Sequence, residues 1–264
     1  MLNIVDKPAI QYIVEEAFAS GIEEVLIITN RNKGAIEDHF DHSYELEDKL
    51  KGNESKKKIY EDVLACSNFG NIYFLRQKET KGLGHAVLCA KNFVGNEPFA
   101  VLYGDDVILS ETPCTKQLCD AYEKYGKGVV GVKEVPGMAI TKYCSLKTEP
   151  LEGNCYTCTD MIEKPKPEEI MGNFSILGRV VLPPQIFDIL ENTPLGAGNE
   201  LQLTDAMKTL AQTDGVVAVD YEGVRYDMGN KFGILQANIE VGLKHPETRE
   251  ELKAYLKKLA ADLD

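Results

Sequence analysis

No run in this sequence approaches the roughly 20 consecutive apolar residues that a membrane-spanning helix requires. A membrane-spanning role is therefore not expected. The opening residues, Met1-Leu2-Asn3-Ile4-Val5-Asp6-Lys7, lack the basic and apolar regions of a signal peptide, so the expected location is cytoplasmic. Basic residues are in short supply. There are 29 Lys and Arg against 42 Asp and Glu, for a formal net charge of -13. That balance excludes nucleic acid as the main partner, because phosphate backbones need a basic face. A small phosphorylated ligand needs only a local positive site and stays open. Internal repeats, low-complexity tracts and linkers are also missing, and one domain over residues 1–264 is expected. The seven cysteines are an odd number and fit reduced thiols. Cys155-Tyr156-Thr157-Cys158 has a spacing that suits zinc, yet no second pair follows it, and two strand residues is the plainer reading.

What is present is a 44% hydrophobic chain, enough for a large core. Pro8 opens a helix carrying Ile10, Ile13, Val14, Ala17 and Phe18, and Gly21 stops it. Strands are expected at 24–29, 71–76, 99–102 and 128–135. Helices are expected over 44–66, after Gly82-Leu83-Gly84-His85, and over 115–125. This alternation points to an α/β architecture with a mostly parallel sheet and helices on both faces. Beyond Pro136 the strands shorten (143–147, 156–163, 175–181). Helices at 184–191 and 203–212, a strand at 216–221 and two final helices follow, the last an amphipathic, charged stretch from Glu247 to Leu263 that reads as a solvated terminal helix or as a packing arm for a second subunit.

Five segments carry candidate chemistry. The apolar run Phe99-Ala100-Val101-Leu102-Tyr103 ends in Gly104-Asp105-Asp106, a buried strand delivering two carboxylates at its carboxyl end. Ligands bind at that edge of open α/β sheets. Adjacent carboxylates repel unless a cation sits between them, and magnesium holding phosphates suits such a pair. An Asp-rich turn is the bland alternative. Gln77 to His85 joins a strand to a helix, with glycines that admit close approach and a helix start with free N–H groups. Glu163-Lys164 ends a strand with an acid and a base on opposite faces. Gly196 to Asp205 enters a helix with polar groups at its mouth, and Tyr226-Asp227-Met228-Gly229-Asn230 sets a carboxylate before another, where helix capping would explain it equally well.

In this order and at these separations the segments closely resemble the bacterial UTP–glucose-1-phosphate uridylyltransferases (UDP-glucose pyrophosphorylases). The similarity runs from Leu2 to about His245. It is carried by Ile4-Val5-Asp6-Lys7-Pro8, Ile36-Glu37-Asp38-His39-Phe40, Lys81-Gly82-Leu83-Gly84-His85-Ala86-Val87, Gly104-Asp105-Asp106, Glu163-Lys164-Pro165, Gly178-Arg179, Leu201-Gln202-Leu203-Thr204-Asp205 and Gly229-Asn230-Lys231. The resemblance implies a Rossmann-like nucleotidyltransferase fold with a mixed central sheet flanked by helices. It implies Mg2+-dependent transfer of uridylyl from UTP to glucose 1-phosphate, giving UDP-glucose and pyrophosphate. Gln77 and Gly82 would contact uracil. Asp105 and Asp227 would bind magnesium, with Asp106 beside them. Glu163 would hold glucose hydroxyls and Lys164 a phosphate, making Asp105 and Lys164 the catalytic pair. Asn173, Gly178 and Glu200 would line the sugar pocket, and the chain would form a homo-oligomer, dimer or tetramer.

Two departures temper these expectations. The family carries a glycine-rich phosphate loop upstream of the segment that begins here, so this chain is expected to be impaired. Cys144 stands where the family has glycine, and its side chain is expected to narrow the sugar pocket. The alternatives are an inactive or regulatory sugar-nucleotide-binding protein, or a transferase for another sugar 1-phosphate or for dTTP.

Overall fold

The computed structural model describes residues 1–261. The chain opens with a tight hairpin, β1 (Asn3–Ile4) and β2 (Lys7–Pro8), and runs into α1 (Ala9–Ala19). Pro8 suits the helix entry because its fixed φ costs nothing there and its missing N–H would have had no partner. β3 (Glu24–Thr29) follows, then α2 (Gly34–Phe40), α3 (Tyr44–Leu50) and α4 (Lys57–Ser67). The single helix expected over 44–66 is thus two. Gly52, at φ +77, and Asn53, whose Oδ1 accepts from the Ser55 N–H, divide them.

β4 (Asn71–Arg76) pairs in parallel with β3. α5 (Leu83–Cys89), α6 (Lys91–Val94), β5 (Phe99–Leu102), β6 (Asp106–Leu109), α7 (Cys114–Tyr125) and β7 (Gly128–Glu134) come next. The second half holds β8 (Cys144–Glu152), β9 (Cys155–Glu163), β10 (Phe174–Leu182), α8 (Ile186–Asn192), α9 (Leu203–Thr213), β11 (Val216–Asp220), β12 (Val224–Asp227), α10 (Lys231–Gly242) and α11 (Arg249–Ala261). The expected terminal stretch is α11; its last expected positions, Asp262 and Leu263, lie outside the described residues.

The central sheet has six strands in the order β5-β10-β7-β11-β9-β8. It is mixed, which corrects the mostly parallel sheet expected from the alternation of elements. Within it the β7–β11 pairing is the one between parallel neighbours, because β10 inserts antiparallel between β5 and β7 and the β8–β9 hairpin closes the far edge. Burial organises two layers of helices around it. One face packs with α5, α8 and α9 through Val87, Leu190, Leu203, Met207 and Leu210; the other packs with α7 through Leu118 and Ala121. A smaller core of Ile4, Ile13, Val107, Tyr226, Met228 and Ala237 ties the amino-terminal hairpin to β6, β12 and α10. Among the described residues, no helix is long and apolar enough to cross a membrane.

Candidate active site

The acid end of β5 turns back on itself. The Asp106 N–H donates to the Tyr103 carbonyl (3.1 Å), closing a turn over Gly104 and Asp105, and the chain continues as β6. β6 pairs antiparallel with β12 so that Asp106 lies opposite Asp227. The Met228 N–H donates to the Asp105 carbonyl (2.7 Å), locking the two strand ends together. Two carboxylates converge as a result. A Cβ on Gly229 would stand 3.0 Å from Asp227 Oδ1 and 3.5 Å from Asp105 Oδ2. Asp227 Oδ1 also accepts from the Gly229 N–H (2.9 Å), which fixes its rotamer. The capping chemistry in this segment falls to Asn230, whose Oδ1 accepts from the Gly233 N–H at the start of α10.

Asp106 is placed differently from its neighbour. It is 3% exposed, and its Oδ1 accepts from Arg225 Nε at 2.7 Å. Burial pushes its carboxyl up to about 6 despite the pull of Arg225. Its carboxyl is answered by Arg225, whereas that of Asp105 is exposed. Arg225 Nη2 also lies 3.6 Å from Asp227 Oδ2, so one guanidinium braces both acids. Gly178, at φ +87, passes directly beneath. A Cβ there would sit 2.9 Å from the Asp106 Cβ, which only glycine avoids.

The support under this turn is a buried ion pair. Arg179, 1% exposed, gives Nε and Nη2 to the two oxygens of Glu16 on α1 at 2.9 and 2.6 Å. Its Nη1 donates to the carbonyls of Asp106 (3.0 Å) and Gly178 (2.8 Å). Glu16 Oε1 takes two further bonds from Thr115, at the start of α7. One carboxylate thus fastens two helices to the backbone behind the acids.

The second group of residues lies where β9 ends. Glu163 Oε2 accepts from Thr204 Oγ1 (2.8 Å) at the first turn of α9. Lys164 leaves the strand in a left-handed conformation, φ +47, with its N–H donating to the Tyr143 carbonyl (2.7 Å) and its side chain exposed. A non-glycine residue held at positive φ stores strain of the kind that collects at functional sites. The Tyr143 ring in turn lies under the Arg225 guanidinium at 5.6 Å. Burial drives the Tyr103 hydroxyl strongly upward, and Cys144, Glu163, Asp106 and Asp105 add to the push. Asn173 is exposed, and its carbonyl accepts from the Val135 N–H.

The third group forms from two loops. The Leu201 N–H donates to the Lys81 carbonyl (2.8 Å), and the Gly84 N–H donates to the Leu201 carbonyl (2.9 Å). This docks the 196–202 loop on the start of α5 and brings Glu200 against Gly82, where an added Cβ would meet the Glu200 Cβ at 2.8 Å. Gln77 spans the loop from the other side, its Nε2 donating to the Gly82 carbonyl (3.2 Å).

Cys144 does not narrow the pocket as expected. It is 4% exposed in the main core, and its Sγ accepts from the Ile176 N–H (3.2 Å) and lies 3.4 Å from Ser175 Oγ. Tyr103, Thr204 and Arg225 were not singled out from the sequence as site residues. For Arg225 a signal existed: it is two residues from Asp227 in a strand, hence on the same face.

A mixed sheet with two converging carboxylates at a strand edge, a glycine-bounded helix start and a strained lysine is the equipment of a nucleotidyltransferase. The family described as nucleotidyl transferase matches residues 1–242. The chain is 50% identical over 256 residues to the UTP–glucose-1-phosphate uridylyltransferase YngB of Bacillus subtilis strain 168, covering 97% of this chain and 86% of that one. A UDP-glucose pyrophosphorylase complexed with UDP-glucose superimposes with a TM-score of 0.85 at 39% identity, over 93% of this chain and 90% of that one. A UTP-bound enzyme of the same kind from Acinetobacter baumannii gives 0.88 at 35%, over 98% and 90%. The chain belongs to the family of UTP–glucose-1-phosphate uridylyltransferases.

Proposed function

We propose that the chain transfers uridylyl from UTP to glucose 1-phosphate, releasing pyrophosphate and forming UDP-glucose, as a single cytoplasmic domain. The observation that carries this reading is the convergence of Asp105 and Asp227 over Gly229. The attacking phosphate oxygen of glucose 1-phosphate is already ionised, so no general base is required. What remains is alignment and neutralisation of charge.

Gln77 and Gly82 hold uracil in this reading. Glu163, fixed by Thr204, accepts glucose hydroxyls, and Asn173, Gly178 and Glu200 line the sugar. Lys164 meets the phosphates. Among the described residues, no three acidic, histidine or cysteine side chains cluster to hold a metal by themselves. That fits magnesium, which takes one or two protein carboxylates and completes its shell with water and phosphate oxygens. Asp105 and Asp227 would hold it, while Asp106 and Arg225 brace them. When bound, the ion neutralises the triphosphate. The expected homo-oligomer has a surface available in the exposed Phe232, Leu235 and Ile239 of α10, and light scattering during gel filtration measures it.

The test is pyrophosphate release from UTP, glucose 1-phosphate and Mg2+, alongside calorimetric binding of UDP-glucose. Turnover establishes the reaction. Binding without turnover supports a sugar-nucleotide-binding protein instead, and absence of both refutes the assignment.

A further inference from the structure

Gln77 has an amide that can read a base only if it is prevented from flipping, and the structure contains the device that prevents it. Its Nε2 donates to the Gly82 carbonyl at 3.2 Å and stands 2.9 Å from Nδ1 of His85, on the first turn of α5. The Gly82 carbonyl is an acceptor only, so the atom facing it must be the nitrogen; the flipped amide would set oxygen against oxygen. That nitrogen is itself only a donor. His85 Nδ1 must then be the acceptor, which puts the ring hydrogen on Nε2. The amide oxygen Oε1 takes no partner among the described residues, and the backbone N–H of Gly82 is likewise free. The Gln77 backbone is pinned too, its N–H donating to the Thr29 carbonyl at 2.8 Å.

We infer that His85, in its Nε2–H tautomer, is a positioning residue for base choice: together with the Gly82 carbonyl it holds the Gln77 amide nitrogen, which leaves the amide oxygen toward the nucleotide. This rests on the reading that Gln77 and Gly82 meet the base. A free acceptor beside a free N–H donor matches the N3–H and O4 edge of uracil. Cytosine offers a lone pair at N3 and an amino group at the position of O4, so both contacts oppose it. Thymine shares the uracil edge and is not rejected by it. If His85 carried a hydrogen on Nδ1, the nitrogen-to-nitrogen contact would be donor against donor. That repulsion would work against the Gly82 bond that holds the amide, and the preference would weaken.

Calorimetric titration of the chain with UTP and with CTP measures this without requiring turnover. The unsubstituted chain binds UTP more tightly. His85→Leu removes the acceptor and lowers the UTP-over-CTP affinity ratio by about tenfold to a hundredfold. His85→Asn, whose Oδ1 can stand where Nδ1 was, keeps the ratio within about threefold. Nitrogen-15 spectra of the imidazole in the unsubstituted chain show hydrogen on Nε2. Three results overturn the inference: hydrogen on Nδ1, no preference for UTP in the unsubstituted chain, or a His85→Leu variant that weakens both nucleotides equally or neither. Should His85→Leu fail to fold, the asparagine variant and the spectra still decide. Gln77→Leu separates the two layers. If it leaves the ratio unchanged, Gln77 does not read the base and the underlying site reading fails. If it lowers the ratio while His85→Leu does not, only the role of His85 falls.

Discussion

Replacing Arg179 by methionine isolates the support under the site. The side chain keeps much of its volume but loses every donor. Glu16 is then left 8% exposed, with only its two Thr115 bonds to answer a full charge. Removing one partner of a buried pair typically costs about 3–5 kcal/mol, because the other charge stays uncompensated. The carbonyls of Asp106 and Gly178 lose their shared donor in the same step. For a chain of this size, about 2–4 °C of melting temperature goes with each kcal/mol, so a drop of about 6–20 °C is expected. Urea unfolding of the single variant and of Glu16→Met/Arg179→Met provides the assay. The double variant removes both charges and should be more stable than Arg179→Met alone, since buried pairs often exchange for apolar residues at little cost. A single-variant loss below about 1 kcal/mol would refute the reasoning, as would a double variant no better than the single.

Gly178→Ala should lose about 1–3 kcal/mol of stability from its positive φ and its clash with Asp106, and should weaken UDP-glucose binding. Urea unfolding and calorimetry measure the two effects. Asp227→Asn is expected to weaken Mn2+ binding, followed by electron paramagnetic resonance, and to reduce turnover by about a hundredfold. Cys144→Gly should destabilise by about 1–3 kcal/mol through the cavity and the orphaned Ile176 N–H. Its ratio of activity on glucose 1-phosphate to galactose 1-phosphate should not move, because the thiol faces the core; a changed ratio would put it in the pocket.

Legibility of the fold followed the range of the interactions. α1, β3, β4, α7, β7 and α9 were readable because burial of one face imposes a period that a short window displays. β6 was not. It is four residues beyond a turn, and only its pairing with β12, more than a hundred residues later, makes it a strand. The resemblance implied the mixed sheet, whereas alternation alone pointed to a mostly parallel one, for a related reason. Alternation of strands and helices says where strands are, but not that β10 returns between β5 and β7. Among site residues, the acids and glycines stood out because their types are costly or strained outside a role. Thr204 and Arg225 are ordinary residues whose partners lie far away in sequence.

By itself, the sequence determined the inventory: a large apolar core, an acidic surface, a carboxylate pair at a strand end, glycines where backbones must approach, and the order of segments that marks the family. These follow from composition and local conformation, which each stretch carries within itself. Only the tertiary structure decided how the inventory divides its labour. Asp105 and Asp106 are neighbours of one type, yet one is open beside Asp227 and the other is buried against Arg225. Cys144 follows a site-adjacent tyrosine, yet its thiol faces the core. Such assignments depend on which groups from distant segments compete for the same hydrogen bond or the same charge, and that competition exists only once the chain has folded.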